Sequence, residues 1–119
     1  MNDSQIIDPQ ALDRLREWGG DKLAGQMVRL FLKNSGARMD QIRAGVTGAD
    51  LKEAERGAHS LKSSAANIGA ELLRTLATRM ESAALDESVE KASSLLPDLE
   101  AAYGDAMREL TTLEKGMAE

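Results

Sequence analysis

The chain contains no cysteine, so it has neither a disulfide nor a thiolate nucleophile. It has a single histidine, His59, which excludes a zinc site assembled from several His or Cys ligands and the paired Glu-x-x-His motifs of di-metal helix bundles. No G-x-x-x-x-G-K-[ST] loop and no glycine-rich kinase loop occurs, which removes the recognisable means of binding ATP. Aromatic residues are down to Trp18, Phe31 and Tyr103, and prolines to Pro9 and Pro97. Strand-like β-branched runs are missing, so the core has to be built from Leu, Ile, Val, Met and Ala on helices. No apolar run is long enough to span a bilayer, and the polar start Met1-Asn2-Asp3-Ser4 does not read as a signal peptide; the expected location is the cytoplasm. Positive charge is also short. Fifteen Lys and Arg against twenty Asp and Glu leave a net charge of -5, which argues against a sequence-independent grip on nucleic acid.

What is present is helical periodicity. The 119 residues suffice for one domain, 1–119, with a core of its own. Residues 1–7 are expected to fray, apart from Ile6 and Ile7. Asp8-Pro9 suits a helix start, Leu12, Leu15 and Trp18 line one side of a short helix, and Gly19-Gly20 ends it. Asp21 can cap the next helix, which carries Leu23, Met27, Val28, Leu30, Phe31, Leu32, Ile42 and Val46. Gly36 interrupts its pattern, and Gly45 to Gly48 mark a turn. Asp50 can cap a third helix that ends at Gly69. Leu72, Leu73, Leu76, Ala77, Met80 and Ala84 mark a further helix, antiparallel to the one before because the connection is so short. Asp86-Glu87-Ser88 is the next turn or cap. The last stripe runs from Val89 through Ala92, Leu96, Leu99, Tyr103, Ala106, Leu110 and Leu113 to Met117, with Pro97 inside it. A bend, or a break near residue 95, is expected there. The sum is an all-α antiparallel four-helix bundle with a short extra helix at the N-terminus.

The third of these segments holds the only histidine. Leu51, Ala54, Ala58, Leu61, Ala65 and Ile68 recur at spacings of three and four, one apolar stripe of a helix packing into a bundle. His59 lies one residue past a stripe position, about 100° around the helix, and so points away from the core. Its neighbours at three and four residues are Glu55, Arg56, Lys62 and Ser63. General-base work by a lone exposed histidine stays open but has no supporting residues here; an exposed neutral imidazole nitrogen can also attack a phosphoryl group and hold it as phosphohistidine. Such a group needs a cation nearby and little steric cover. Lys62 supplies the first; Ser63 and Ala66, small and on the same face, supply the second. Lys52, Arg56 and Lys62, with Glu55 among them, make this face locally positive.

The residues His59-Ser60-Leu61-Lys62, followed by Ser63-Ser64-Ala65, Ile68-Gly69-Ala70, Leu73, Leu76, Met80 and Glu81, resemble the histidine-containing phosphotransfer (HPt) domains of bacterial multistep phosphorelays. Asp8 to Trp18, Gly20-Asp21 and Leu30-Phe31 look like the first two helices of that family. The similarity covers nearly the whole chain and is sharpest from Ala58 to Glu81. One position departs from it: the family usually has glycine after the lysine, where this chain has Ser63.

The resemblance implies a carrier without kinase or ATPase activity, one that takes a phosphoryl group from the aspartate of one receiver domain and passes it to another. His59 would be phosphorylated through Nε2, Lys62 would balance the phosphoryl charge, and Gly69 would allow the tight turn into the next helix. No cofactor belongs to this chain; the magnesium that assists transfer would belong to the receiver. Glu55 can accept a hydrogen bond from the other ring nitrogen. The expected partners are receiver domains of response regulators or hybrid histidine kinases, not nucleic acid or membrane. Docking is expected on an apolar patch beside His59, with Leu12, Leu15, Val28 and Leu32 as candidates and Lys62, Arg56 and Lys52 as local charge complement. The competing reading is a helical adaptor that binds a receiver or kinase without being phosphorylated. Four-helix closure suggests a monomer, and the Met1 start with no interdomain linker favours a free-standing protein.

Overall fold

In the computed structural model, which describes residues 6–117, Asp8 begins the first helix as the sequence suggests: its carboxylate accepts from the Gln10 N–H at 3.0 Å, and Pro9 occupies the first turn. Four helices follow in order: α1 (Pro9–Thr47), α2 (Leu51–Ile68), α3 (Glu71–Leu85) and α4 (Val89–Met117). Each packs on the next, and α4 returns to α1, closing an antiparallel four-helix bundle around one core. The expectation of fraying at residues 1–5 lies outside the described residues; Ile7 is already buried in the core and Ile6 is exposed.

The separate short N-terminal helix is not seen. Residues 9 to 47 form one helix with a kink at Gly19 and Gly20, whose φ/ψ values are -147/16 and 71/-170. Gly20 tolerates that positive φ because it has no Cβ; the helical runs on either side meet at these two residues without an intervening loop, so they form one kinked element rather than a separate short helix. Asp21, expected as a cap, accepts instead from Arg16 Nε at 3.0 Å across the kink. The helix also runs on through Gly36 and Gly45. At Gly45 a Cβ would lie 2.5 Å from the Ala54 backbone nitrogen, and at Gly57 one would lie 2.9 Å from Ile42. These two glycines let α1 and α2 approach closely. Of the bend or break expected near Pro97, the break does not occur: α4 continues through Pro97, which sits on the solvent side where the carbonyl it leaves unbonded can face water.

All three corners close in the same way. After α2, the Ala70 N–H bonds the Ala65 carbonyl at 2.9 Å and the Gly69 N–H bonds Ala66 at 3.3 Å, the paired 6→1 and 5→2 bonds of a Schellman motif, with Gly69 left-handed at φ 82. After α1, Asp50 bonds Gly45 and Ala49 bonds Val46; after α3, Ser88 bonds Ala83 and Glu87 bonds Ala84. At those two corners the left-handed residue is not glycine: Ala49 has φ 57 and Glu87 has φ 56. Asp50 then caps α2 through the Glu53 N–H, and Ser88 caps α4 through the Lys91 N–H. The connections are too short for anything but antiparallel neighbours.

Between α1 and α4, Arg43 holds both carboxylate oxygens of Glu100, at 2.7 and 2.6 Å. Ser35, buried, shares a hydrogen bond with the Tyr103 hydroxyl at 3.2 Å.

Candidate functional site

On α2 the stripe residues Ala54, Ala58, Leu61, Ala65 and Ile68 are buried, and Leu51 packs at the edge of the core. His59, one position round, has 60% of its side chain exposed. Lys62 follows one turn on and is partly covered. Ser63 is exposed and Ala66 half-buried on the same face, so no bulky side chain on these two positions screens the imidazole.

The decisive neighbour comes from α3. His59 Nδ1 lies 2.8 Å from Glu81 Oε2, and Lys62 Nζ donates to Glu81 Oε1 at 2.7 Å. One carboxylate thus holds the ring and the cation through its two oxygens. Only 13% of the Glu81 side chain is exposed. That burial opposes ionisation, but the hydrogen bonds from Lys62 and His59 outweigh it, and the carboxyl is held below the usual glutamate range. An ionised carboxylate can only accept, so Nδ1 carries the proton. The unprotonated nitrogen of the neutral ring is then Nε2, on a side chain that is largely exposed.

Glu55 does not take the ring nitrogen that sequence proximity offered it; Glu81 does. Glu55 remains half-buried one turn before His59. Arg56 is exposed and pairs with Glu53 at 2.9 Å, and Lys52 is exposed. Gly69 stands in the left-handed corner. A Cβ there would lie 2.7 Å from the Asp8 carbonyl oxygen, and the Asp8 N–H donates to the Gly69 carbonyl at 2.8 Å, so the start of α1 is seated on the α2–α3 corner.

A signal for Glu81 was available. His59 and Glu81 lie eleven residues either side of Ala70, where the α2–α3 hairpin turns. Residues equidistant from a tight antiparallel turn stand at the same height, so the hairpin levels these two. The docking candidates fare differently. Leu12, Leu15 and Val28 are core residues, and Leu32 is partly buried against the core, because all four lie on the apolar faces that close the bundle. Among the described residues the exposed large apolar side chains are Ile6, Trp18, Leu30, Leu72, Leu85 and Val89. Among the described residues no group of three or more His, Asp or Glu side chains could hold a metal ion. No described helix is long and apolar enough to cross a membrane.

Comparison with solved structures places the architecture. The chain is similar to the crystal structure of histidine-containing phosphotransfer protein B from Pseudomonas aeruginosa, with a TM-score of 0.86, 21% identity, and coverage of 94% of this chain and 96% of that one. It is also similar to a putative histidine-containing phosphotransfer protein from rice, with a TM-score of 0.75, 18% identity, and coverage of 98% and 86%. At these identities the likeness is one of fold. No curated protein sequence matches the chain. The family model for the Hpt domain matches residues 26–114, a span that contains His59, Lys62 and Glu81. The chain therefore belongs to the Hpt domain family, whose members are non-catalytic carriers of phosphoryl groups in phosphorelays and interact there with receiver domains.

Proposed function

We propose that His59 is the phosphoryl carrier, loaded at Nε2 from the phosphoaspartate of one receiver domain and unloaded onto the aspartate of another. The observation that carries this reading is the Glu81 carboxylate on Nδ1, which leaves the Nε2 lone pair free on a largely exposed ring. In transfer, that lone pair attacks phosphorus, the N–P bond forms, and the P–O bond to the receiver's aspartate breaks, with the electron pair leaving on the aspartate carboxylate. The imidazole gains positive charge as it does so. Glu81, already accepting the Nδ1 proton, stabilises that charge and keeps the ring oriented, the logic of a carboxylate behind a catalytic histidine. The reverse step regenerates the neutral ring for the next cycle.

Lys62 is close enough to meet the phosphoryl oxygens by turning from Glu81, and Ser63 and Ala66 leave room for a partner to approach. Ser63, where the family usually has glycine, keeps that approach open because its side chain is small and exposed. Glu55 and Arg56 belong to the rim of the site, and Gly69 sets the corner that brings α3 level with α2. Magnesium acts in this scheme from the receiver. The carrier works as a monomer in the cytoplasm.

The test is transfer of label from a magnesium-loaded, radiolabelled phospho-receiver to the wild type and to His59→Gln. Acid-labile, alkali-stable label on the wild type and none on the variant is the expected result. A folded wild type that takes no label from a broad panel of receivers would instead favour an adaptor that binds without being phosphorylated.

A further inference from the structure

Of the clefts that transfer at His59 leaves unused, one borders both α2 and α3. It lies where the start of α2 meets the end of α3, with Leu51, Lys52 and Arg56 on one wall and Ala84 and Leu85 on the other, and encloses about 690 Å³. Leu85, 65% exposed, is the exposed large apolar side chain that lines this cleft. Lys52 has no ion-pair partner among the described residues, whereas Arg56 is held by Glu53. Asp50 is occupied as the cap of α2.

The cleft is continuous with the phosphotransfer face. Glu55, which lines it, lies one turn before His59, and Leu85 lies one turn after Glu81. At about 1.5 Å per residue, Leu85 is roughly 6 Å beyond Glu81 along α3 and Lys52 roughly 10 Å before His59 along α2. An interface of ordinary size covers about 800 Å² on each partner, a disc of roughly 16 Å radius. A footprint of that size centred on His59 takes in the whole cleft.

We infer that this cleft is the subsite that selects the receiver: it takes an apolar side chain from the receiver surface beside the phosphoaspartate, packed on Leu85, while a neighbouring receiver carboxylate meets Lys52. The inference rests on the proposed transfer at His59. Three observations fix the occupant's chemistry. The group that must reach His59 Nε2 is an anionic aspartyl phosphate, so the surface that carries it is negative at its centre. Lys52 is the cation of the cleft not already held by a carboxylate. Leu85 offers the apolar area that drives association, of the kind that makes a central contact outweigh its neighbours. Glu55 and Glu87 also line the cleft, so attraction is confined to the Lys52 position and an acidic surface placed elsewhere is repelled.

The experiment compares wild type, Leu85→Glu, Lys52→Glu and, as a control at an exposed leucine on the opposite side of α3 from Glu81, Leu72→Glu. Each is loaded from a phospho-receiver that labels the wild type and, separately, from phosphoramidate, a donor too small to need docking. Leu85→Glu and Lys52→Glu are expected to lower kcat/KM from the receiver about tenfold or more, through KM, while labelling by phosphoramidate is unchanged and Leu72→Glu behaves as wild type. Because the leucines and Lys52 are exposed, circular dichroism and melting temperature should match the wild type. Receiver-dependent rates unaffected by both cleft variants, with His59 still labelled, would overturn the docking subsite and leave the transfer reading standing. A wild type labelled by no receiver would overturn the transfer reading and the subsite with it.

Discussion

His59 Nδ1 and Glu81 Oε2 stand 2.8 Å apart across the α2–α3 hairpin, so the ring's tautomer is set by a residue on another helix. A charge-assisted hydrogen bond of this kind is worth about 1.5–3 kcal/mol, and about 1.4 kcal/mol is a factor of ten in rate. Glu81→Ala is therefore expected to slow phosphoryl transfer roughly tenfold to a hundredfold without removing it. Glu81→Gln keeps one oxygen to accept the Nδ1 proton but has no charge and no second acceptor for Lys62, and should fall between. Ring ¹⁵N shifts of His59 provide the check that a merely structural role would not move: dominated by the Nδ1–H form in the wild type, mixed in the alanine variant.

Lys62 is expected to contribute less to transfer than its position suggests. A cation about 4 Å from a unit charge near a surface gains at most ~4 kcal/mol, and solvent-exposed pairs realise under ~1 kcal/mol. Lys62 must also give up Glu81 to reach a phosphoryl group. Lys62→Ala should slow transfer about tenfold or less, whereas His59→Gln should abolish it, because no other residue forms the N–P bond. Equal loss in the two variants, measured as single-turnover rates, would refute the screening argument.

Acid should weaken the hairpin through Glu81. Its carboxyl is held below the ordinary 4.5 when folded, so the unfolded chain binds that proton more readily. Stability from this group is fully present above about pH 4.5 and is lost as pH falls through the lower folded value. Urea unfolding of wild type and Glu81→Gln should show a stability difference at pH 7 that shrinks on acidification below 4.5. A difference independent of pH would refute it.

The three Schellman corners predict opposite responses to removing a glycine and to introducing one at the left-handed residue. Gly69→Ala forces a Cβ into the left-handed region and to within 2.7 Å of the Asp8 carbonyl oxygen, and should cost about 2 kcal/mol or more. Ala49→Gly and Glu87→Gly remove a left-handed penalty of about 1–2 kcal/mol and restore about 0.5–1 kcal/mol of unfolded-chain freedom, for a net gain of roughly 0.5–1 kcal/mol each. Thermal melting of the three variants gives the signs directly.

Much of this molecule follows from spacing along the chain. Apolar residues at three and four positions apart define the buried stripes of α2, α3 and α4, and the same arithmetic turns His59 outward with Lys62 beside it. Asp8, Asp50 and Ser88 act as caps because a short oxygen-bearing side chain before a helix satisfies an otherwise unbonded N–H, a local matter. Periodicity reports the angle of a residue about its own helix axis and says nothing of the height at which a neighbouring helix presents its residues. For that reason Glu55, near in sequence, was the candidate partner for the ring, while Glu81, level with His59 only once the hairpin closes, is the residue that holds it. The same limit governs Leu12, Leu15 and Val28, which become core when the helices close over them, and Leu30 and Leu85, which closure leaves outside. Gly19 and Gly20 announce a departure from helical geometry, yet whether the chain turns away or only bends depends on the surface the next turn lies against. Composition and spacing settled an all-α chain with one outward imidazole; tertiary packing chose the carboxylate behind it, because hydrogen bonds between helices depend on register, and register is decided only when the core packs.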